Sequence, residues 1–223
     1  MRLYLFVKNN ANLTRSEVTS LQNDGRILVN GKIVSLTTDI IDSDNVTIDN
    51  NIIRKKPFVY YLYNKPIGII CTNNKKVAGS ILNHIDIEER VYPIGRLDKE
   101  SRGLLILTND SNLCHQVLSN HFEKEYIVKV KDKITNDFIT AMPLSVLLRG
   151  KATLPCKVSQ VDDYHFKIIL VEGKYHQIRR MVVLHGNKVV DLKRIRIGNI
   201  WLNDLEEGKT KRIENIKEQL NIN

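Results

Sequence analysis

The sequence predicts an α/β protein of the α+β type, with a small N-terminal unit and a larger second domain. Residues 121–131 alternate apolar and polar side chains, which is typical of a half-buried strand. Residues 175–185 instead space their apolar side chains along one face of a helix. A polar stretch with a short basic run separates the early part of the chain from the rest. We therefore expect a unit at 1–50, a linker at 51–57 and a larger domain at 58–223.

The first unit is predicted to contain two helices followed by a small hairpin. An amphipathic first helix precedes a second, which Thr14 and Glu17 would begin as a capping box and which would stop near Gly25. Asn30-Gly31 lies between two short β-branched runs and predicts a type I′ turn, because both residues tolerate positive φ.

The larger domain is predicted to mix strands and short helices. Strands are expected on both sides of Asn64-Lys65-Pro66, on both sides of a loop at 95–103, over 121–131, and in an antiparallel pair that turns at Asp162-Asp163. Helices are expected over 78–85, from Asp110 or Ser111 through Leu118, over 135–142 and over 175–185. A long strand alternating apolar with basic residues follows, and then a polar tail for which a helix is one option.

The chain carries an excess of basic residues. Lys and Arg number 34 against 25 acidic residues among 223, which gives a formal net charge of +9 and an isoelectric point near 9.4. This excess favours a polyanionic partner, because a basic side chain that neutralises a phosphate releases a condensed counterion. Charge that only keeps the protein in solution is the alternative. A hydrophobic content of 42% is too high for a disordered chain.

Cysteine, histidine and hydropathy patterns argue against several classes of protein. The three cysteines are far apart and form no CxxC pair, and the six histidines form no ligand cluster. We therefore expect no disulfide framework, no metal and no cofactor. The N-terminus has too short an apolar run for a signal peptide, and no uncharged stretch approaches the roughly 20 residues of a membrane span. A soluble cytoplasmic protein without membrane contact is expected.

The segment Val91–Asp110 contains the strongest motif in the chain. Its loop, GRLDKESRG, lies between two predicted strands and carries Arg96 and Asp98. A lone Asp in a loop is usually a turn or cap residue, because its carboxylate bonds nearby backbone N–H groups. The flanking residues favour a chemical role instead, since the segment GRLDKESRGLLILT follows the strictly spaced pattern GRLDxxSxGLLxLT.

This pattern resembles the catalytic loop of the pseudouridine synthases, which carries the catalytic aspartate of that family. The segment LYNKPIGIICT resembles the LxNKPxGxxxT form that precedes the loop in the family, and KEY at 124–126 resembles its KxY motif. The resemblance implies isomerisation of uridine in RNA to pseudouridine. It also implies a catalytic domain with a mixed, mainly antiparallel sheet flanked by helices.

The resemblance assigns catalytic roles to Asp98, Tyr126 and Arg179. Asp98 is implied as the nucleophile at C1′ of the uridine, since breaking a glycosidic bond without a metal calls for a carboxylate. Arg179, in the segment Gly173–Arg179, is implied as the ion-pair partner that keeps this carboxylate ionised. Tyr126 is expected to stack on the base and Ile178 to pack against the ring. Taken singly, Tyr126 is more often a half-buried strand residue and Arg179 a solvated helix residue.

Several basic residues are expected to bind the RNA. The target uridine lies in folded RNA and has to be extruded before Asp98 can reach it, and Arg96 is expected to fill the gap left in the stack. Candidate phosphate contacts, for which a solvated face is the alternative, are Arg180, Lys193, Arg194 and Arg196. The first unit resembles the S4 RNA-binding domain, whose RNA-facing positions correspond to Arg15 and Arg26. A packing module without RNA contact is the alternative there.

The resemblance covers nearly the whole chain and points to the RsuA branch of the pseudouridine synthases. His176 is a departure, because many members of that branch have Arg at this position and HQIR is more typical of the RluA branch. We expect a monomer that modifies structured RNA, 23S ribosomal RNA first, with 16S ribosomal RNA or tRNA as alternatives. A non-enzymatic S4-type RNA-binding or ribosome-assembly protein is the competing class.

Overall fold

The computed structural model describes residues 1–222, which divide into two compact units at Phe58 and Val59. The first unit packs two helices with a three-stranded antiparallel sheet of order β1-β2-β3. Its elements are α1 (Leu3–Asn10), α2 (Arg15–Asn23), β1 (Ile27–Val29), β2 (Val46–Ile48) and β3 (Asn51–Ile52). Its core is formed by Leu3, Val7, Val18, Ile27, Val29, Ile40 and Val46.

The start of α2 is as predicted, but the hairpin after it is only partly so. Thr14 Oγ1 accepts from the Glu17 N–H at 3.3 Å, and Glu17 Oε2 accepts from the Thr14 N–H at 2.6 Å, which confirms the capping box. Asn30 and Gly31 both have positive φ, as the predicted turn requires. The second run of the hairpin does not form a strand, and β1 pairs with β2 instead. Ile33 in that run is 62% exposed, while Val34 is partly buried against the core of the unit.

The second unit is built on a nine-stranded sheet. Its strands are β4 (Tyr60–Lys65), β5 (Tyr92–Pro93), β6 (Arg102–Thr108), β7 (Lys124–Val130), β10 (Lys157–Gln160), β11 (His165–Leu170), β12 (Val189–Ile197), β13 (Ile200–Trp201) and β14 (Thr210–Arg212). A separate hairpin consists of β8 (Leu147–Leu148) and β9 (Lys151–Ala152). The helices are α3 (Ser111–Ser119), α4 (Asn136–Ala141), α5 (Gln177–Leu184) and α6 (Ile216–Gln219), with a 3₁₀ turn at Ile81–Asn83. None of the helices in residues 1–222 combines the length and apolarity needed to cross a membrane.

The sheet is mixed and mainly antiparallel, which confirms the predicted architecture of this domain. Its strand order is β10-β11-β7-β12-β6-β4-β14, with β13 added beside β12 and β5 beside β6. Among the described strands, β12 and β6 form the one parallel pair. Gly103 makes this pairing possible: its φ is +107°, and a Cβ there would lie 2.2 Å from the Arg194 carbonyl oxygen. The glycine that follows the Asp98 loop is therefore required by the close approach of two strands.

Both faces of the sheet are buried at β6. Leu105 and Leu107 of β6 lie in a core cluster shared with α4 and α5, and Leu104 and Ile106 lie in a second cluster shared with α3 and α6. A strand buried on both faces explains the continuous apolar run in the sequence. The loop that carries Asp98 thus leads directly into one of the most buried strands of the domain.

Three predicted elements differ from the structure. The expected helix at 78–85 is reduced to the 3₁₀ turn at Ile81–Asn83. The run after Pro66 contributes only an isolated bridge between Ile70 and Ser80. The polar tail supplies β14 in addition to the short helix α6, because its Thr210–Arg212 segment pairs with the free edge of β4.

Candidate active site

One pocket of the second unit brings together residues from segments that are distant in sequence. Its volume is about 540 Å³, within the range of small-molecule and cofactor pockets. Five of the predicted site residues line it, namely Arg96, Asp98, Tyr126, Ile178 and Arg179, and so does His176. The loop before β6, the strand β7 and the helix α5 therefore meet at one site.

Asp98 is placed by a turn that leaves its carboxylate in the pocket. The Ser101 N–H donates to the Asp98 carbonyl oxygen at 3.0 Å, which closes the turn through the backbone. Within residues 1–222, no N–H or O–H group donates a hydrogen bond to the carboxylate itself, which is 31% exposed. His176 Nε2 lies 3.5 Å from Asp98 Oδ1. The side chain is thus not used as a turn cap, and it lines the pocket beside His176.

Arg179 contacts the loop that carries Asp98, but not the Asp98 carboxylate. Its Nη2 donates to the Glu100 carbonyl oxygen at 2.7 Å and to Ser101 Oγ at 3.2 Å. The predicted Asp98–Arg179 ion pair is therefore not formed in this structure, because the loop backbone takes up the guanidinium. Arg179 Nε is buried and has no hydrogen-bond partner among residues 1–222. This group could donate to an additional acceptor when one enters the pocket.

Tyr126 and Ile178 form part of an apolar wall. Tyr126 lies on β7 and is 8% exposed, and Ile178 lies in the first turn of α5 and is 5% exposed. Leu170 and Leu192, from the strands on either side of β7, also line the pocket. A carboxylate beside such a wall is suited to a planar substrate with a polar edge.

Lys65 lies beneath the loop, fully buried. Its Nζ donates to the carbonyl oxygens of Pro66 and Ser101 at 2.8 and 2.7 Å, which fixes the end of the loop from below. Burial lowers the pKa of this ammonium, while the charges of Cys71, Asp98 and Glu100 oppose the shift.

Among residues 1–222, no group of three or more His, Cys, Asp and Glu side chains is placed to hold a metal ion.

The predicted phosphate contacts differ in their accessibility. Arg96 is exposed at the pocket, while Lys193 is half-buried on β12. Arg180 is half-buried and lines a second groove of about 290 Å³, together with Leu147, Leu148, His176, Arg179, Val183 and Leu184. These three cations have no salt bridge within the described part of the chain. They remain predicted RNA contacts.

Arg194 and Arg196 are not available to phosphates, contrary to the prediction. Arg194 is 3% exposed, and its Nε donates to the Leu104 carbonyl oxygen at 2.8 Å. Arg196 is bound to Glu125 at 2.7 Å and to Glu123 at 3.0 Å. Both guanidiniums are held by acceptors inside the protein, and Arg194 Nη2 is buried without a hydrogen-bond partner among residues 1–222.

The two arginines of the first unit that are predicted to face RNA also differ in how available they are to a phosphate. Arg15 is exposed at the start of α2. Arg26 forms two hydrogen bonds with the Asp49 carboxylate, one of them at 2.6 Å from Nε to Oδ1. This pairing neutralises Arg26, so Arg15 is the better candidate for contact with a phosphate.

The sequence assigned no role to His176 or Lys65, although both residues lie within segments quoted for the resemblance. The sequence marks His176 only as a departure from the branch pattern, and it places Lys65 only in the segment between two predicted strands. A lysine followed by proline, at the end of a strand with an apolar neighbourhood, was the available signal for a buried cation.

Comparison with known proteins shows which family the chain matches. A family model for RNA pseudouridylate synthase matches residues 59–183. Ribosomal small subunit pseudouridine synthase A of Haemophilus influenzae is 34% identical over 218 residues, covering 94% of each chain. Dual-specificity RNA pseudouridine synthase RluF of Escherichia coli strain K12 is 34% identical over 214 residues, covering 94% of this chain and 74% of that protein. A crystal structure of a pseudouridylate synthase matches 99% of each chain with a TM-score of 0.71 and 33% identity.

Proposed function

Because the chain belongs to the RNA pseudouridylate synthase family, we propose that it isomerises a specific uridine of folded ribosomal RNA with Asp98 as the nucleophile. The relatives confirm the predicted enzyme class and the predicted likeness to the RsuA branch. The likeness includes RluF. The observation that carries the proposal is the pocket in which Asp98, Tyr126, Ile178 and Arg179 meet. The competing class, a non-enzymatic RNA binder, does not account for a carboxylate that lines such a pocket and does not cap its own loop.

In the proposed reaction, an oxygen of Asp98 attacks C1′ of the uridine and the N1–C1′ bond breaks. The detached uracil turns within the pocket, its C5 bonds to C1′, and the Asp98 ester is released. Tyr126 would stack on the uracil, and Ile178 would support the ring from the apolar wall. This wall would also keep the detached base from escaping during its rotation.

The uridine has to leave its helix to reach Asp98, at a cost of about a few kcal/mol. Arg96 is exposed on the same loop, two residues before the nucleophile, and lines the pocket. We propose that its guanidinium occupies the space vacated by the extruded base. An Arg96→Ala variant should then lose more turnover on folded RNA than on an unstructured oligonucleotide. Equal losses on both RNAs would contradict the wedge role.

For the substrate, we propose a uridine of 23S ribosomal RNA. A uridine of 16S ribosomal RNA is the second candidate, because the small-subunit enzyme of Haemophilus influenzae is matched along 94% of its length. A tRNA uridine is a further alternative. The first unit, proposed as an S4-like module, would help to position the RNA through the exposed Arg15. We propose that the enzyme acts in the cytoplasm as a monomer.

The decisive test maps pseudouridine in total RNA from cells with the protein, without it, and with the Asp98→Asn variant. One or more sites should disappear both in the deletion and in the variant, while purified Asp98→Asn protein still binds the RNA. The asparagine has nearly the same shape but cannot act as the nucleophile. A variant that retained full modification would exclude Asp98 as the nucleophile, and the mapped site would identify the RNA.

A further inference from the structure

The groove of about 290 Å³ beside α5, here called the α5 groove, adjoins the pocket and shares His176 and Arg179 with it. The strand β8 forms one wall, and the last turn of α5 forms the other. The apolar side chains of both walls are uncovered: Leu147 is 70% exposed, Val183 63% and Leu184 58%. Contiguous apolar side chains that face solvent around a groove indicate a binding site.

The two walls of the α5 groove are fixed to each other. Lys174, before α5, donates a hydrogen bond through Nζ to the Ala152 carbonyl oxygen of β9, the strand paired with β8. Glu172 Oε1 accepts from the Leu154 N–H at 2.9 Å and from Gln177 Nε2, in the first turn of α5, at 2.7 Å. The groove is therefore formed before a ligand binds, and little ordering of the protein has to accompany binding.

Two arginines give the surroundings of the α5 groove a positive charge. Arg180 lines it, and the exposed Arg149 lies in the hairpin turn directly after β8. The Arg149 guanidinium lies 5.2 Å from the centre of the Tyr175 ring, which stacks on His176 with centroids 3.9 Å apart. Neither arginine has a salt bridge within residues 1–222, and the described lining contains no Asp or Glu. The groove is therefore suited to a ligand with an apolar part and a negative charge.

A nucleotide of RNA has both properties, since its base has apolar faces and its phosphate is anionic. Apolar and aromatic side chains bind the faces of unpaired bases, and arginine binds phosphate oxygens. The volume of the groove suits one planar ring, whereas a helix of a partner protein is about 10–12 Å wide. Because the groove is continuous with the pocket proposed for the uridine, its ligand would belong to the same RNA.

We propose that the α5 groove binds one unpaired nucleotide next to the target uridine, with the base against Leu147 and Leu184 and the phosphate at Arg180. This inference rests on the proposed function, in which the adjoining pocket receives the uridine. The groove would then take part in the choice of substrate, because a uridine without such a neighbour would be bound more weakly.

The test uses the shortest transcript containing the mapped uridine that the wild-type enzyme modifies. A matched series of this RNA lacks the base of one unpaired nucleotide at a time. Leu147→Gln and Leu184→Gln change the two walls at exposed positions, so neither should impair folding. Leu144→Gln is the control, because Leu144 is 62% exposed but does not line the groove. Affinity for the RNA and the single-turnover rate at saturating RNA are measured for each protein.

Both wall variants are expected to bind the intact RNA about tenfold more weakly, with an unchanged rate at saturation, and the control should match the wild type. Removal of one particular base should weaken binding by the wild-type enzyme about tenfold. The same removal should have little further effect on Leu184→Gln, because the two changes delete one contact.

Three results would overturn the proposal. Wall variants that bind the RNA as tightly as the wild type would show that the groove holds no nucleotide. Losses that add for every missing base would show that the bases and the groove act independently. Wall variants that bind purified RNA normally but modify assembled ribosomal particles poorly would assign the groove to a protein partner. Failure of the proposed function is detected separately, since the wild-type enzyme would then form no pseudouridine in any RNA.

Discussion

The Nη2 atom of Arg179 lies 2.7 Å from the carbonyl oxygen of Glu100, in the loop that follows Asp98. A second hydrogen bond, at 3.2 Å, joins the same nitrogen to Ser101 Oγ. The helix α5 is thus bonded to the loop through its backbone, while the Arg179 Nε is buried without a partner among residues 1–222. In this state Arg179 positions the loop and retains one donor for an incoming group.

Arg179→Lys is therefore expected to reduce turnover much more than RNA binding. Lysine cannot hold the two loop acceptors and also present a further N–H in the same plane. A displacement of the loop by about 1 Å can cost on the order of 10²-fold in rate, so we expect kcat to fall by about that factor. Lys188→Gln, an exposed position on the same unit, is the control and should leave kcat unchanged. The measurement is single-turnover kinetics with parallel binding titrations, and an equal loss in both quantities would contradict the positioning role.

Lys193 and Arg194 are neighbours on β12, but we expect replacement of Lys193 to weaken RNA binding and replacement of Arg194 to weaken the fold. Lys193 is half-buried and without a salt bridge in the described chain, so Lys193→Gln should reduce the salt slope of RNA binding by about one. Arg194 is buried and bonded to the Leu104 carbonyl oxygen, so Arg194→Gln should leave that slope unchanged. It should instead lower the free energy of unfolding by about 1–3 kcal/mol. Binding titrations over a range of salt concentrations and denaturant unfolding check both, and a lower slope for Arg194→Gln would contradict the structure.

The sequence predicted those parts of the protein that depend on residues close to one another in the chain. The Thr14–Glu17 capping box depends on residues three apart, and the apolar run of β6 reports a strand buried on both faces. The family patterns around Asp98, Tyr126 and Arg179 are each equally local, and together they led to five residues that line one pocket. These predictions required no knowledge of which distant segments meet.

The predictions that failed depended on long-range placement. Alternation of basic and apolar residues suggested a solvated side for β12, but this strand is central, with β7 and β6 as neighbours. Its pairing with β7 also changes register between Arg194 and Arg196, which no alternation rule anticipates. Arg179 found backbone acceptors on the loop in place of the Asp98 carboxylate. Sequence spacing gives the reach of a side chain but not the acceptor that it selects.

Gly103→Ala is expected to destabilise the protein strongly. The φ of Gly103 is +107°, and an added Cβ would lie 2.2 Å from the Arg194 carbonyl oxygen and 2.7 Å from its nitrogen. Because both atoms belong to the backbone of the adjacent strand, no side-chain movement can relieve the overlap. We expect a loss of roughly 3 kcal/mol or more in the free energy of unfolding. Gly173→Ala, where a Cβ meets nothing within 4 Å, is the matched control and should change stability little. Thermal and denaturant unfolding distinguish the two, and similar stabilities would show that the strands are not in such close contact.

The ion pair between Arg102 and Asp191 should make stability depend on pH in the acidic range. Arg102 Nε and Nη2 donate to Asp191 at 2.9 and 2.8 Å. Burial alone would raise the pKa of Asp191, but the hydrogen bonds and charge of Arg102 outweigh it and lower this pKa below its ordinary value of 3.8. The carboxylate therefore stabilises the fold fully above that value, and the contribution is lost as the pH falls through it toward the lower pKa of the folded state.

Asp191→Asn should lower the free energy of unfolding by about 1–2 kcal/mol at pH 7, and the difference from wild type should shrink below about pH 4. Denaturant unfolding at a series of pH values measures this, with Asp204→Asn at an exposed position as the control. A difference that stayed constant from neutral pH to pH 3 would mean that Asp191 is not held ionised by Arg102.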